Sequence, residues 1–326
     1  MNRFSTFTAF AAALVLGAGA HAQTKWDMPM GYPQNNFHTV NAQKFADAIK
    51  ARSGGKLEIV IHANGSLFKA PEIKRAVQTG QAQIGEVLMV NLNNEDAFFG
   101  ADGVPFLATD YSSARKLLAA QKPGIEKRAG AQGMMFLYAV AWPPQGIYAN
   151  KELKAVADME NLKWRAYSPQ TARIAEIVKA QPLTIQAAEL AQAMATGKVN
   201  SFMSSGVTGV DTKVYEHLSH FHDTQAWLPK NMVIVNKAAL DKLDEATRKI
   251  VVEEAAKAED AGWQASQKVQ SDSLVELAAK KMTVVKPSAA FMGELKTKVG
   301  GPMIDEWKKG VGADADALVR AVQVTN

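Results

Sequence analysis

Residues 161–211 read NLKWRAYSPQTARIAEIVKAQPLTIQAAELAQAMATGKVNSFMSSGVTGVD, and the order of periodicities in this stretch decides the fold class. Leu162, Trp164 and Ala166 alternate with Lys163, Arg165 and Tyr167, the period of two expected of a strand, and Ser168-Pro169 then opens a helix. Helical and strand-like runs continue to alternate, so the chain reads as α/β. Arg165 falls at the carboxyl end of its strand, the edge where open α/β sheets bind ligands. A guanidinium there suits a two-pronged grip on a carboxylate, although a solvated strand-end arginine satisfies the same pattern. Trp164, one position earlier, points the other way and belongs to the core.

Outward from this centre the same grammar recurs. Lys25 to Met30 predicts a strand, Gly31 to Asn36 breaks it, and Phe37 to Arg52 predicts a helix ended by Ser53-Gly54-Gly55. Leu57, Ile59 and Ile61 mark a second strand, Pro71 suits the first turn of another helix, Gly80 closes it, and Ala82 to Leu88 predicts a third strand carrying Glu86. Glu72, Ala76, Thr79 and Gly80 are matched later by Glu189, Ala193, Thr196 and Gly197, with Ile73 and Val77 answered by Leu190 and Met194. Such a repeat implies two similar lobes whose strand ends face each other across a cleft, Glu86 on one side and Met203-Ser204 on the other. Ala238 to Lys281 has no proline and one glycine, Gly262, which predicts either a long brace across both lobes or two helices broken at that glycine. Met303 to Val322 predicts closing helices.

Composition narrows the function. A chain of 326 residues, 47% hydrophobic and 21% charged, has material for two packed lobes. Arg3, the apolar run Phe7 to Ala18 and Ala20-His21-Ala22 predict an export signal cleaved after Ala22; the apolar run is too short to span a bilayer. Losing Arg3 lowers the formal charge from +5 to 36 basic against 32 acidic residues, a mild balance with no basic stripe, so nucleic acid is not an expected partner. Cysteine is absent, which excludes thiolate chemistry and fits an exported protein large enough to do without disulfides.

Catalytic signatures are missing. No G-x-S-x-G, H-E-x-x-H or phosphate-binding loop occurs, and the S-x-x-K matches at Ser53/Lys56 and Ser66/Lys69 lack their partner motifs. His217, His220 and His222 gather three of the six histidines and offer a metal-binding alternative, against a polar surface turn. Trp142-Pro143-Pro144 predicts either a wall presenting an indole to a ligand or a stiff crossover between lobes.

Taken in order, FADAIKARSGGKLEI (Phe45 to Ile59), GSL (Gly65 to Leu67), AVQTG (Ala76 to Gly80), PFL (Pro105 to Leu107), NLKWR (Asn161 to Arg165) and ELAQAMATGKVN (Glu189 to Asn200) resemble the DctP-type solute-binding proteins of tripartite ATP-independent periplasmic (TRAP) transporters. The resemblance implies a two-lobed periplasmic solute-binding fold with a long helix spanning both lobes, no catalysis and no cofactor. It also implies a periplasmic location and delivery of a small organic acid to integral membrane subunits. The lobes it implies are residues 23–147 with 230–263, and 148–229 with 264–326.

In such proteins an arginine holds the ligand carboxylate, and that position falls on Arg165. The family's first-lobe acid falls on Glu86; a second arginine of sialic-acid-type members falls on Gln145, an asparagine on Ser204, and a pocket aromatic on Ala187. Those departures argue against a heavily charged sugar acid. Trp142, Phe37, Trp227 and Phe202 are the expected walls, and Ser204, Gln145 or Asn36 the expected partners of a second ligand oxygen. The ligand expected is a monocarboxylate with a bulky or aryl group, including 2-oxo and 2-hydroxy acids. A binding protein of an ATP-driven importer is the neighbouring alternative.

Overall fold

The computed structural model describes residues 23–323, so the export signal expected over residues 1–22 lies outside the described residues. In chain order the first half holds β1 (Thr24–Pro29), α1 (Phe37–Arg52), β2 (Leu57–His62), α2 (Ile73–Gln78), β3 (Ile84–Leu88), α3 (Tyr111–Ala131), β4 (Met134–Ala141) and β5 (Gly146–Ala149). Next come β6 (Lys163–Ala166), α4 (Pro169–Ile177), β7 (Gln181–Thr184), α5 (Leu190–Ala195), β8 (Ser201–Ser204), α6 (Gly206–Asp211) and β9 (His220–His222). The chain ends with β10 (Lys230–Asn236), α7 (Lys237–Asp241), α8 (Glu245–Ala279), β11 (Thr283–Val285), α9 (Ala289–Leu295), α10 (Gly301–Val311) and α11 (Asp314–Gln323). Among the described residues no helix is long and apolar enough to cross a membrane.

Two sheet systems result. β2 pairs in parallel with β1, β1 packs beside β3, and β10 inserts antiparallel between β3 and β4. The second sheet runs β11-β9-β5-β8-β6-β7, with β6 parallel to both β7 and β8 and β5 antiparallel to β8. The late strand β10 therefore completes the early sheet, so the chain must cross between sheets more than once. One crossing is Trp142-Pro143-Pro144-Gln145; the return, residues 223–229, is bonded to it by Trp142 N–H to Pro229 O at 2.8 Å and Gln145 N–H to Trp227 O at 2.9 Å. β5 begins at Gly146 in the second sheet, so the first crossing precedes the expected boundary at residue 147.

The repeated cassette is real in three dimensions. Ile73, Ala76 and Val77 of α2 are buried, as are Leu190, Ala193 and Met194 of α5. Each helix ends at a threonine whose hydroxyl donates four residues back, Thr79 to Arg75 O at 2.9 Å and Thr196 to Gln192 O at 3.0 Å. Each threonine precedes a glycine in the left-handed region, Gly80 at φ 76° and Gly197 at φ 65°, where a side chain is strained. Each turn then feeds a strand, β3 or β8, that ends at the same central cavity.

α8 is one continuous helix of 35 residues, about 50 Å at 1.5 Å per residue. It starts later than Ala238 because Asp244 caps it, its carboxylate accepting from Thr247 N–H at 2.9 Å. Gly262 does not break it. A Cβ there would lie 2.4 Å from Val140 Cγ2, so the glycine lets the helix press onto β4, where Trp263 Nε1 donates to Ala139 O at 2.8 Å. Farther along, Ser273 abuts Gly206 of α6, and the helix thereby braces both halves. The expectation that residues 264–326 belong wholly with the second sheet fails at their end. Trp307, Leu318 and Val319 sit in the first core, and Trp307 Nε1 donates to Ala97 O at 3.0 Å, because α11 lays its apolar face on α3.

Candidate ligand-binding site

The strand ends of β3, β6 and β8 and the crossing at Trp142 converge on a cavity of about 420 Å³ between the two sheets. Its wall includes Arg165, Glu86, Gln145, Ser204, Trp142, Asn36 and Ala187, seven of the ten residues expected from sequence. Phe37, Trp227 and Phe202 are not in the wall. Phe37 lies behind Trp142, ring centroids 5.3 Å apart and nearly perpendicular; Trp227 is sealed in the second core; Phe202 packs on Tyr148 at 4.6 Å. Their aromatic area went to interior packing, which sequence cannot separate from pocket lining.

Arg165 is the element that decides what this cavity can do. It is 3% exposed, whereas the period of two alone would put alternate residues in solvent. Its Nε donates to Ile185 O at 2.8 Å, and the guanidinium carbon lies 5.0 Å from the Tyr167 ring centroid and 5.9 Å from that of Phe202. No carboxylate among the described residues pairs with it. Cation–π contacts contribute roughly 0.5–2 kcal/mol, while desolvating an ion costs several kcal/mol. Burial therefore wins and pushes Arg165 down to about 10, with Tyr167 and Tyr32 acting in the opposite direction. The group stays protonated at neutral pH and is short of an anion.

Other cations nearby already have partners. Lys74, also in the wall, is bonded to Glu95, and the wholly buried Lys230 lies 3.7 Å from Asp102, outside the wall. Burial lowers Lys230 and raises Asp102 from their ordinary values, with their mutual attraction opposing both shifts.

Opposite Arg165 stands Glu86, 4% exposed. Asn231 is oriented by two donors, Trp142 Nε1 at 2.9 Å and Tyr32 OH at 3.4 Å, both onto its Oδ1. Its Nδ2 therefore faces Glu86 and donates to Oε1 at 2.8 Å, leaving Oε2 3.5 Å from His38 Nδ1. Gln145 accepts from Tyr167 OH at 3.1 Å and donates to Pro143 O at 3.0 Å, while Ser204 Oγ donates to Thr208 Oγ1 at 2.8 Å. Both amide atoms of Asn36 are engaged too, Oδ1 by His38 N–H and Nδ2 by Asp211. Trp142 fills both roles its sequence offered, being the crossing and a wall at once.

The three histidines do not assemble a metal site. His222 is buried, donates from Nδ1 to Ile147 O at 3.1 Å and accepts at Nε2 from Leu153 N–H at 2.8 Å, which leaves no lone pair for a metal. Burial also lowers its proton affinity, consistent with a neutral ring. His220 contacts Ser219 Oγ at 2.8 Å, and among the described residues no group of three or more His, Cys, Asp or Glu is placed to hold a metal ion.

Sequence reasoning missed Tyr32, Lys74, Tyr167, Thr208 and Asp211, all of which line the cavity. Tyr167 alone carried a usable signal, standing two residues after Arg165 at the same strand end.

Comparison with known proteins places this architecture. The sequence model of bacterial extracellular solute-binding proteins, family 7 (DctP), matches residues 30–309. DctP6 of Bordetella pertussis, an extracytoplasmic solute receptor binding pyroglutamic acid, is 55% identical with a TM-score of 0.90, over 92% of this chain and 99% of that one. A marine metagenome TRAP solute-binding protein specific for pyroglutamate is 44% identical with a TM-score of 0.90, over 92% and 99%. The C4-dicarboxylate-binding protein DctB of Bacillus subtilis (strain 168) is 35% identical over 75 residues, only 23% of this chain and 21% of that protein.

Proposed function

The chain belongs to the bacterial extracellular solute-binding proteins of family 7, transport receptors rather than enzymes, and from that membership we propose that it captures pyroglutamate or a close cyclic monocarboxylate and delivers it to TRAP membrane subunits. The similar receptor described as a TRAP solute-binding protein favours this reading over the binding protein of an ATP-driven importer. Export with cleavage after Ala22 into the periplasm belongs to the same proposal. So do two lobes built on the two sheets and closing about the crossings at residues 142–145 and 223–229.

The observation that carries the ligand class is the buried guanidinium of Arg165, which lines the cavity without a counter-ion among the described residues. A ligand carboxylate would supply that charge. Glu86, partly satisfied by Asn231, would accept from a ring N–H and leave no donor for a second carboxylate, which separates a lactam acid from a dicarboxylate. With Phe37, Trp227 and Phe202 outside the wall, the expectation of a bulky or aryl acid narrows to a compact ring lying against Trp142 and Tyr32. Two similar receptors with pyroglutamate as their ligand support that narrowing.

A thermal-shift screen of the mature protein against organic acids tests the reading. L-pyroglutamate is expected to raise the melting temperature by several degrees and succinate to leave it near its ligand-free value. A large shift with dicarboxylates and none with pyroglutamate would contradict it.

A further inference from the structure

We propose that Asn36 and Asp211 form a clasp across the cleft, holding the two sheets together through a contact that the ligand does not make. This rests on the proposed closure around a ligand. Asn36 ends the segment after β1 and caps α1 on the first core; Asp211 ends α6, which follows β8 of the second sheet and leans on the far part of α8. Asn36 Nδ2 donates to Asp211 Oδ2 at 2.7 Å, a short hydrogen bond to a carboxylate.

The orientation of Asn36 is fixed from within its own element. Its Oδ1 accepts from His38 N–H at 3.0 Å as the helix cap, so Nδ2 must point outward to Asp211. Asp211 is desolvated in this arrangement: burial raises its carboxyl above the ordinary value, Asn36 and His38 lower it, and Glu276 on α8 raises it further. Asn36 is anchored to α1 by its cap and Asp211 to α6, so their hydrogen bond is the link between the two. The contact therefore breaks when the sheets part, at which point both groups regain water.

A clasp of this kind biases the open–closed equilibrium without touching the ligand, and it acts on escape rather than capture. On this proposal Asn36 and Asp211 are positioning residues that act through each other rather than on the ligand.

Two arms test the clasp. In stopped-flow binding of L-pyroglutamate, Asp211→Ala and Asn36→Ser, the second of which keeps a helix cap, are each expected to raise koff about tenfold with kon within about twofold. The double variant is expected to be no faster than either single. Unchanged koff, or single effects that multiply in the double variant, would overturn the proposal. The second arm needs no ligand. Spin labels at Lys44→Cys and Glu216→Cys, unique because the chain has no cysteine, report the separation of the two halves. Asp211→Ala is expected to move the ligand-free distance distribution to longer values, and an unmoved distribution overturns the clasp. If the wild type fails to bind pyroglutamate, the ligand reading fails, and the label distances still decide this one.

Discussion

Two buried ionisable side chains, Arg165 and Glu86, face one cavity from opposite sheets, and they are held in opposite ways. Glu86 on β3 takes a hydrogen bond from Asn231, itself fixed by Trp142 and Tyr32, so one of its oxygens is held and oriented before a ligand arrives. Arg165 on β6 has one backbone carbonyl and two aromatic faces, and its environment is incomplete. Nearly the same burial thus yields two roles: the guanidinium without an anion supplies affinity, and the carboxyl oriented by its own sheet supplies selection.

Removing the unsatisfied charge is the strongest way to break the comparison. Arg165→Ala is expected to weaken pyroglutamate binding at least about a hundredfold, near 2.7 kcal/mol by calorimetry, while the ligand-free protein keeps or gains melting temperature because a buried, unpaired ion is gone. Glu86→Gln comes next, with about a tenfold loss for pyroglutamate and a gain for succinate when both are titrated into the variant. If both acids weakened together, Glu86 would be structural and the division of roles would fail.

Smaller effects sharpen the picture. Phe202→Leu removes a ring near the guanidinium but no wall of the cavity, so Kd is expected to rise only about threefold, within the worth of a cation–π contact. A hundredfold loss there would restore Phe202 to the pocket. Last is pH. Burial disfavours the charged form of Arg165 and lowers it to about 10, so the guanidinium is protonated below that value and lost as pH rises through it. Kd is expected to stay level between pH 7 and 9 and to weaken above about 10 in buffered titrations.

The sequence made the skeleton of this arrangement legible and left its depth unread. Arg165 and Trp164 could be placed on opposite faces of β6 because a strand's period is two, and Trp164 is fully buried as that reading requires. The paired cassettes at Glu72–Gly80 and Glu189–Gly197 could be matched because turn chemistry repeats with the structure it builds. Aromatic residues gave no such guide: Trp142 lines the cavity and Phe37 stands one layer behind it, a difference set by packing alone. Asn231, which orients Glu86, comes from a strand inserted between β3 and β4 after a long excursion, a pairing that no local pattern announces. Similarly, the apolar face of α11 is visible in sequence, but not that α3 receives it.

The claim that everything else depends on is that Arg165 is completed by a carboxylate. Calorimetry comparing L-pyroglutamate with its primary amide, identical in the ring and lacking only the anion, tests it without altering the protein. The account predicts tight binding of the acid and a loss of at least about a hundredfold for the amide; equal affinities would contradict it.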